Sequence, residues 1–428
     1  MEKSDIIIVG SGISGLLTAY FLSKRGLKLQ ILEAAPRSGG WIDGLSLRGQ
    51  IFENGPNSIL ADEEWLKLLN DLNLSYIEKP KSLKKRFVWK NNRRQVIPLS
   101  VSAFLWSPLV SWGAKMSILG EIFRGDNLES ADPSILEFFS ARFHQDVADY
   151  LVDPFIGGIF AGDISKLSFK SVFPELFSGF KNKKSLIRAA LSKKASAPKK
   201  IISFSGGIQS LVRALETKTP AQRQFDSRVE NISFHDSSVQ IMTNQNSYEA
   251  RALVLATPAQ EAARLLHPQI DEKSFRFLNE IFYQSVSLVH TLWRRPLNFE
   301  AGLGCLIPSK DKNFRGFRGS LWPSEIFPSR YDSQYLATTQ YFSGEQPRVD
   351  LQEIQQIVGV SEEPLEIKRI DLGPSIPQFY RGHQEGVERL RGQLPDHVKC
   401  SGNYLDGVGL SAVFKTSLRL SDEILATL

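Results

Sequence analysis

Three glycines and one carboxylate carry the most legible chemistry in the chain: Gly10-x-Gly12-x-x-Gly15, followed by Glu33. In front of the glycines stands the apolar run Ile6, Ile7, Ile8 and Val9. Behind them Ile13, Leu16, Leu17, Tyr20 and Phe21 recur at helical spacing. Gly10 permits a tight turn, Gly12 lets a backbone come close to a pyrophosphate, and Gly15 lets the helix lie against the strand. The amides of Ile13, Ser14 and Gly15 then face the anion with the helix dipole behind them. Glu33 falls where a second strand should end, and a carboxylate there accepts hydrogen bonds from a ribose hydroxyl while repelling a 2′-phosphate. A strand-turn-helix-strand unit holding a dinucleotide is expected, with NADP disfavoured and NAD and FAD both open.

Two further glycine loops bear on that choice. Glu33-Ala34-Ala35-Pro36-Arg37-Ser38-Gly39-Gly40-Trp41 offers a cation and a second set of backbone amides, which suits a long dinucleotide with more phosphate to hold. Near the other end, Gly402, Gly407, Val408, Gly409 and Leu410 form a glycine loop leading into a helix, whose free N–H groups suit a second phosphate or an isoalloxazine carbonyl. Gly55-Pro56-Asn57-Ser58 adds an extended turn of the kind that lines sites. Together these loops favour FAD. The two cysteines, Cys305 and Cys400, belong to no CxxC pair, so neither a disulfide framework nor a metal site is expected and a reducing compartment fits.

The elements that must position these residues can be read more coarsely. With 428 residues, 42% hydrophobic and 23% charged, the chain has length for two or three domains and an extensive core. An amphipathic helix is predicted over 62–74, a hairpin around Asn91-Asn92, a buried strand at 252–257, and strands at 285–292, 302–307 and 335–342. Phe104, Leu105, Trp106, Leu109, Val110, Trp112 and Met116 make an aromatic-rich apolar region, which serves either an interfacial segment or the core of a helical subdomain. Residues 176–215 contain no acid while Lys181, Lys183, Lys184, Arg188, Lys193, Lys194, Lys199 and Lys200 accumulate; the formal charge is +6. One-sided charge beside apolar helix points to an anionic surface or substrate. Met1-Glu2-Lys3-Ser4 runs straight into the first strand and no apolar run reaches bilayer-spanning length, so a cytoplasmic protein, at most peripheral on the cytoplasmic membrane, is expected.

Taken together, the blocks resemble the flavin amine-oxidase superfamily and, within it, the protoporphyrinogen oxidases. The resemblance rests on the glycine motif with Glu33; Arg37-x-Gly39-Gly40-Trp41-Ile42; Gly55-Pro56-Asn57-Ser58; Gly158-Ile159-Phe160-Ala161-Gly162-Asp163; Phe204-Ser205-Gly206-Gly207; Leu255-Ala256-Thr257-Pro258; Pro377-Gln378 with Gly382-His383; and Gly402-Asn403-Tyr404-x-x-Gly407-Val408. It implies an α/β plus α+β protein: a discontinuous Rossmann-like FAD domain (1–52, 203–258 and 399–428), a substrate domain with a mixed sheet (53–85 and 259–398), and an inserted helical, membrane-contacting domain (86–202). The implied reaction is FAD-dependent oxidation of protoporphyrinogen IX by dioxygen, giving hydrogen peroxide, in haem biosynthesis. Implied partners are the porphyrinogen, dioxygen, a membrane surface, the neighbouring haem-pathway enzyme and a second copy of the chain, with no nucleic acid. Rival readings are coproporphyrinogen III oxidation, with Arg93 and Arg94 as candidates for the extra cations, oxidation of an amine or carotenoid, and a porphyrin-binding flavoprotein without activity. By position, Arg86 would pair with a propionate, Gly158 would let backbone approach the macrocycle, and Leu303, Leu306 and Tyr341 would wall it. The backbone of Val229 would meet the adenine. The chain departs from the pattern at Gln384, where many relatives carry Trp near the flavin.

Overall fold

The computed structural model describes residues 2–125, 130–192 and 199–428. Lys193 and Lys194 of the basic stretch lie outside the described residues.

The apolar run before the glycines becomes the strand Glu2–Val9, with Ile6, Ile7 and Ile8 fully buried. A strand apolar on both faces belongs inside a parallel sheet covered on both sides, and this one is central to a seven-stranded sheet. It pairs in parallel with Leu29–Leu32 and Ser247–Leu255; Ala221–Gln224 extends the sheet in parallel beyond Leu29–Leu32. Ser247–Leu255 shares its other edge, its first half with the antiparallel pair Val239–Thr243 and Val229–Phe234, its second half with parallel Val398–Cys400. Segments more than 140 residues apart in sequence thereby close one nucleotide-type sheet. The helix Ile13–Ser23 is buried on almost every side, because the sheet covers one face and the C-terminal helix Leu410–Leu425 covers another.

A second seven-stranded sheet runs in the order Glu366–Pro377, Tyr283–Arg294, Tyr335–Ser343, Phe317–Leu321, Gly304–Leu306, Phe87–Lys90, Arg93–Val96. It is antiparallel except where Gly304–Leu306 meets Phe87–Lys90. The molecule is therefore a mixed α/β protein with a parallel-led sheet and a separate mixed sheet. The hairpin Phe87–Lys90/Arg93–Val96, which a domain boundary at 86 assigns to the helical insertion, is bonded into this mixed sheet. The first helix beyond it is Val101–Trp106. Glu366–Pro377 is a twelve-residue strand in a region where Gly373, Pro374 and Pro377 interrupt the usual pattern. It occupies an edge, where a missing N–H is tolerated, and pairing is irregular around Pro374. Lys200–Ser203, at the expected boundary between the helical insertion and the returning nucleotide segment, joins Ile59–Ala61 and Ile77–Glu78 in a small antiparallel sheet.

Between the hairpin and Lys200 the elements of the described residues are helices. Its core is phenylalanine: Phe138 stacks on Phe169 with centroids 3.9 Å apart and meets Phe180 edge-on at 5.0 Å. Arg142 and Glu121, both buried, pair at 2.9 Å, and Glu121 also accepts the N–H groups of Leu186 and Ile187, so the buried charge is fully bonded. Among the described residues no helix is long and apolar enough to cross a membrane.

Candidate active site

The glycine turn has the geometry its spacing demands. Gly10 adopts φ +102°, and a Cβ there would lie 2.7 Å from the carbonyl oxygen of Ala256. A Cβ on Gly15 would lie 2.0 Å from the oxygen of Gly10, so helix and strand touch backbone to backbone. Gly12, which caps the helix Ile13–Ser23, has open space around its Cβ position; the amides of Ile13, Ser14 and Gly15 follow it in the first turn.

The second loop is laid across the first. Gly39 donates its N–H to Ser11 O at 2.9 Å, Gly40 approaches Gly12 so closely that a Cβ would stand 3.3 Å from its Cα, and Gly55 abuts the carbonyl of exposed Trp41. Arg37 is the strut of this loop: its guanidinium donates to Ser38 O at 3.1 Å and stands 3.9 Å from Asp43. Glu33 closes the second strand, accepting from the Ser11 N–H (2.6 Å) and hydroxyl (2.9 Å) and from the Ala35 N–H (2.8 Å) across exposed Ala34. Ser227 donates to the Glu33 carbonyl at 2.9 Å, which brings buried Val229 to the same end of the groove.

The C-terminal loop supplies the opposite end. Gly407 (φ +150°) and Val408 lead into Gly409, which caps the helix Leu410–Leu425; Gly402 lies against the buried Tyr404 ring. Ser417 Oγ donates to Ser14 O at 3.2 Å and Ser421 Oγ to Thr18 O at 3.5 Å, so this helix runs parallel to the first. At ~1.5 Å per residue its start projects roughly 10 Å past Ser14, giving two helix N-termini that face the same way in stagger. Ser38 Oγ, Thr257 Oγ1 and Asn57 Oδ1 are buried without hydrogen-bond partners. A carboxylate at the end of the second strand, a glycine turn at a helix start, a staggered second helix start and unpartnered polar atoms in the neighbouring loops together fit an extended dinucleotide. FAD would be held by Glu33 at one end, Gly12 to Gly15 in the middle and the 407–410 loop at the other.

The loop containing Pro56 and Ser58 joins this groove to the mixed sheet. Asn57 Nδ2 donates to the hydroxyl of Tyr341 at 3.1 Å; Asn54 Oδ1 meets His290 Nε2 at 3.1 Å; Ser411 Oγ donates to Leu60 O at 2.8 Å. Burial pushes the Tyr341 phenol up to about 12 and the His290 imidazole down to about 4. Tyr341 also packs with Leu288, Val286 and Ala161, so it bridges the flavin-side loop and the end of the glycine-rich helix Asp153–Phe160.

The other residues expected to meet a substrate fall into two neighbourhoods. Arg86 is exposed at the start of the hairpin, beside Leu303, whose N–H bonds Lys85 O at 2.9 Å; it makes no ion pair among the described residues. Gly158 meets Leu306, whose Cδ2 lies 2.9 Å from the position of a Cβ there. Leu303 lies in the bend before the strand Gly304–Leu306, bonded to Lys85 and Trp322 through its backbone, whereas Leu306 ends that strand against Gly158. Arg94 is committed elsewhere: it packs on the Phe87 and Trp322 rings and donates to Val358 O at 2.9 Å.

Two distant motif blocks meet. Gln378 Nε2 donates to Phe160 O at 2.8 Å, Ser168 N–H to Phe379 O at 2.8 Å, and Gly162 has no room for a Cβ beside Gln378. His383 is buried, stacked on Phe379 at 4.1 Å, and burial pulls its pKa down to about 4, as befits a core histidine. Gln384 is half-buried and bonded to Glu388 at 2.9 Å. Sequence reasoning missed Phe155 and Ile159, apolar yet about 40% exposed on the same helix as Gly158; their i, i+4 spacing was the available signal. It also missed the buried pair Glu53–Arg330 (3.1 Å), in which Glu53 further accepts the Ile208 N–H at 3.0 Å. That pair clamps the strand Gln50–Glu53 to the segment entering the helix Gln209–Lys218.

The description Flavin containing amine oxidoreductase matches residues 13–354. The chain is 28% identical to Protoporphyrinogen oxidase 2, chloroplastic/mitochondrial, of Arabidopsis thaliana over 99% of its own length and 94% of that protein. It is 25% identical to Coproporphyrinogen III oxidase of Bacillus subtilis (strain 168) over 95% of each. Among solved structures, a protein from Exiguobacterium sp. 255-15 superposes with a TM-score of 0.82 at 20% identity, covering 100% of this chain and 99% of that one. Wild-type putrescine oxidase bound to putrescine gives 0.72 at 16% identity, with 99% of each chain covered. With the groove described above, these matches place the chain in the flavin containing amine oxidoreductase family, with FAD as its cofactor.

Proposed function

We propose that the protein oxidises protoporphyrinogen IX to protoporphyrin IX, the hydrogens removed from the macrocycle ending on dioxygen as hydrogen peroxide, as a step of haem biosynthesis. The observation that carries the reading is a free guanidinium at the rim of an otherwise apolar wall. Arg86 has no side-chain partner among the described residues and stands beside Leu303, while Leu306, Gly158, Phe155 and Ile159 offer apolar surface and close backbone where the mixed sheet meets the helix Asp153–Phe160. A flat apolar ring bearing carboxylates is the complement of such a surface. The two relatives named for porphyrinogen oxidation, each matched nearly end to end, support the same substrate class.

Bound FAD supplies the hydride acceptor. The chain's own part is to orient and to exclude water: Arg86 grips a propionate, Gly158 and Leu306 set how near the ring can come, and the Asn57–Tyr341 bond fixes the loop between cofactor and wall. No histidine is assigned as a base: burial pulls His383 and His290 down to about 4, which makes each a weak proton acceptor.

One observation favours the more carboxylated coproporphyrinogen III as a second reading. Lys79, half-buried and bonded to Pro80 O and Leu83 O, is held below the usual lysine range by burial and by nearby Arg86, so a second cation stands close to the first. Side-by-side turnover of the two porphyrinogens, read by porphyrin fluorescence, decides: faster protoporphyrinogen oxidation is expected, and a clear preference for coproporphyrinogen III overturns the assignment.

We also propose peripheral membrane contact through the helices Val101–Trp106 and Trp112–Gly120. Trp106 is 83% exposed and Phe123 85%, and Val101, Trp112, Met116 and Leu119 are exposed beside them. Flotation with vesicles tests this; a protein that stays unbound contradicts it.

A further inference from the structure

The hairpin turn Asn91-Asn92, Tyr150 and residues 308–312 enclose a cleft of about 330 Å³, lined also by Trp89 and Lys90, that neither the cofactor nor the porphyrinogen reading uses. Its lining carries three lysines, Lys90, Lys310 and Lys312, against one carboxylate, Asp311. The ammonium groups of Lys90 and Lys310 lie 4.0 and 3.7 Å from the centre of the Tyr150 ring, two cations drawn to one aromatic face system and repelling each other. Lys90 donates to Leu109 O at 2.8 Å and Lys310 is held by Asp149 at 2.8 Å, so both are fixed in place with N–H groups to spare. Lys312 is exposed and, like the side-chain amides of Asn91 and Asn92, has no partner among the described residues.

The nearby carboxylates are already engaged. Asp149 accepts from Gln145 Nε2 at 2.8 Å besides Lys310, Asp146 accepts the Ser111 N–H at 2.9 Å, and Asp311 accepts the Asn313 N–H at 3.1 Å. Burial and Lys310 hold the Lys90 ammonium below its usual range against the opposing pull of Asp146, whereas Asp149 and Tyr150 hold that of Lys310 above its own. An anion with several oxygens relieves the repulsion and pairs the donors at once.

The cleft also has a defined neighbour. Leu109, whose carbonyl Lys90 holds, stands three residues before the exposed Trp112, and Lys115 lies over the Trp112 ring at 4.4 Å. We propose that this cleft is a binding site for a phosphate ester at the margin of the exposed apolar helices. The ester is the headgroup of an anionic phospholipid or a free phosphate ester; both present the same oxygens.

Titration calorimetry with glycerol phosphate and flotation with phosphatidylglycerol-containing vesicles, set against pure phosphatidylcholine, test it on the full-length flavoprotein. Lys312→Glu should weaken binding about tenfold or more, and Lys90→Met, checked by thermal melting for an intact fold, should do the same. Lys67→Glu, on the exposed face of the helix Glu63–Asp71, should change nothing. Losses confined to the vesicles identify a lipid headgroup, and losses with glycerol phosphate identify a free ester. Wild-type protein that binds neither probe, or Lys312→Glu and Lys90→Met variants that bind both as well as wild type, overturn the site.

Discussion

The cofactor groove and the wall opposite it are built from different material. The groove is backbone: Gly10, Gly12, Gly15, Gly39, Gly40 and Gly409 place amides and leave room, and Glu33 is the principal side chain with a role. The proposed wall is mainly side chains brought from separate segments: Arg86 from the start of the hairpin, Leu306 and Tyr341 from the mixed sheet, Phe155 from the helical region, with Gly158 leaving room beside Leu306. A backbone site tolerates little change at its glycines and much elsewhere; a side-chain site can be altered one contact at a time. That contrast ranks what substitutions should do.

The largest effect is expected in the groove. Gly15→Val forces a side chain against the Gly10 carbonyl, whose oxygen lies 2.0 Å from the Cβ position. It should cost about 3 kcal/mol or more and leave the protein without its yellow colour; a variant with full flavin absorbance and unchanged denaturant midpoint breaks the contrast.

Next come the histidines behind the wall. His290 and His383 have folded pKa values near 4, below the unfolded value of 6.5. The unfolded chain therefore takes up protons that the folded one refuses. Stability is lost as pH falls from about 6.5 towards 4 and the loss levels off below that, worth roughly 3 kcal/mol per histidine. Urea unfolding across that range should show the slope, and His290→Gln should flatten part of it.

On the wall, Arg86→Ala should raise KM about tenfold or more through loss of a charged hydrogen bond worth ~1.5–3 kcal/mol, with flavin content unchanged. Unaltered KM removes Arg86 from the site. The smallest effect is Tyr341→Phe, which leaves Asn57 Nδ2 without its acceptor and should cost about 1 kcal/mol while the ring still packs; denaturant unfolding measures it.

The same contrast explains what could be read from the residues alone. Gly10, Gly12, Gly15 and Glu33 lie within one local unit, so their spacing reports their geometry directly. The contact between the Gly158 to Asp163 block and Gln378 spans more than two hundred residues, and only assembly of the helical region against the sheet edge creates it. Arg94 illustrates the other limit: a cation near the wall in sequence is packed under Phe87 and Trp322 because the hairpin lies in the mixed sheet. Leu303 and Leu306, both expected to wall a macrocycle, fall beside different neighbours, Lys85 for the first and Gly158 for the second. The strand Glu366–Pro377 was hidden by its prolines, which an edge position tolerates.

The most direct test of groove and wall acting together is turnover of protoporphyrinogen IX and coproporphyrinogen III by the purified flavoprotein, with Arg86→Ala measured in parallel. Oxygen-dependent formation of fluorescent protoporphyrin, faster than that of coproporphyrin and weakened in KM by Arg86→Ala, is expected. Preference for coproporphyrinogen III, or a flavin-loaded protein that oxidises neither, would contradict it.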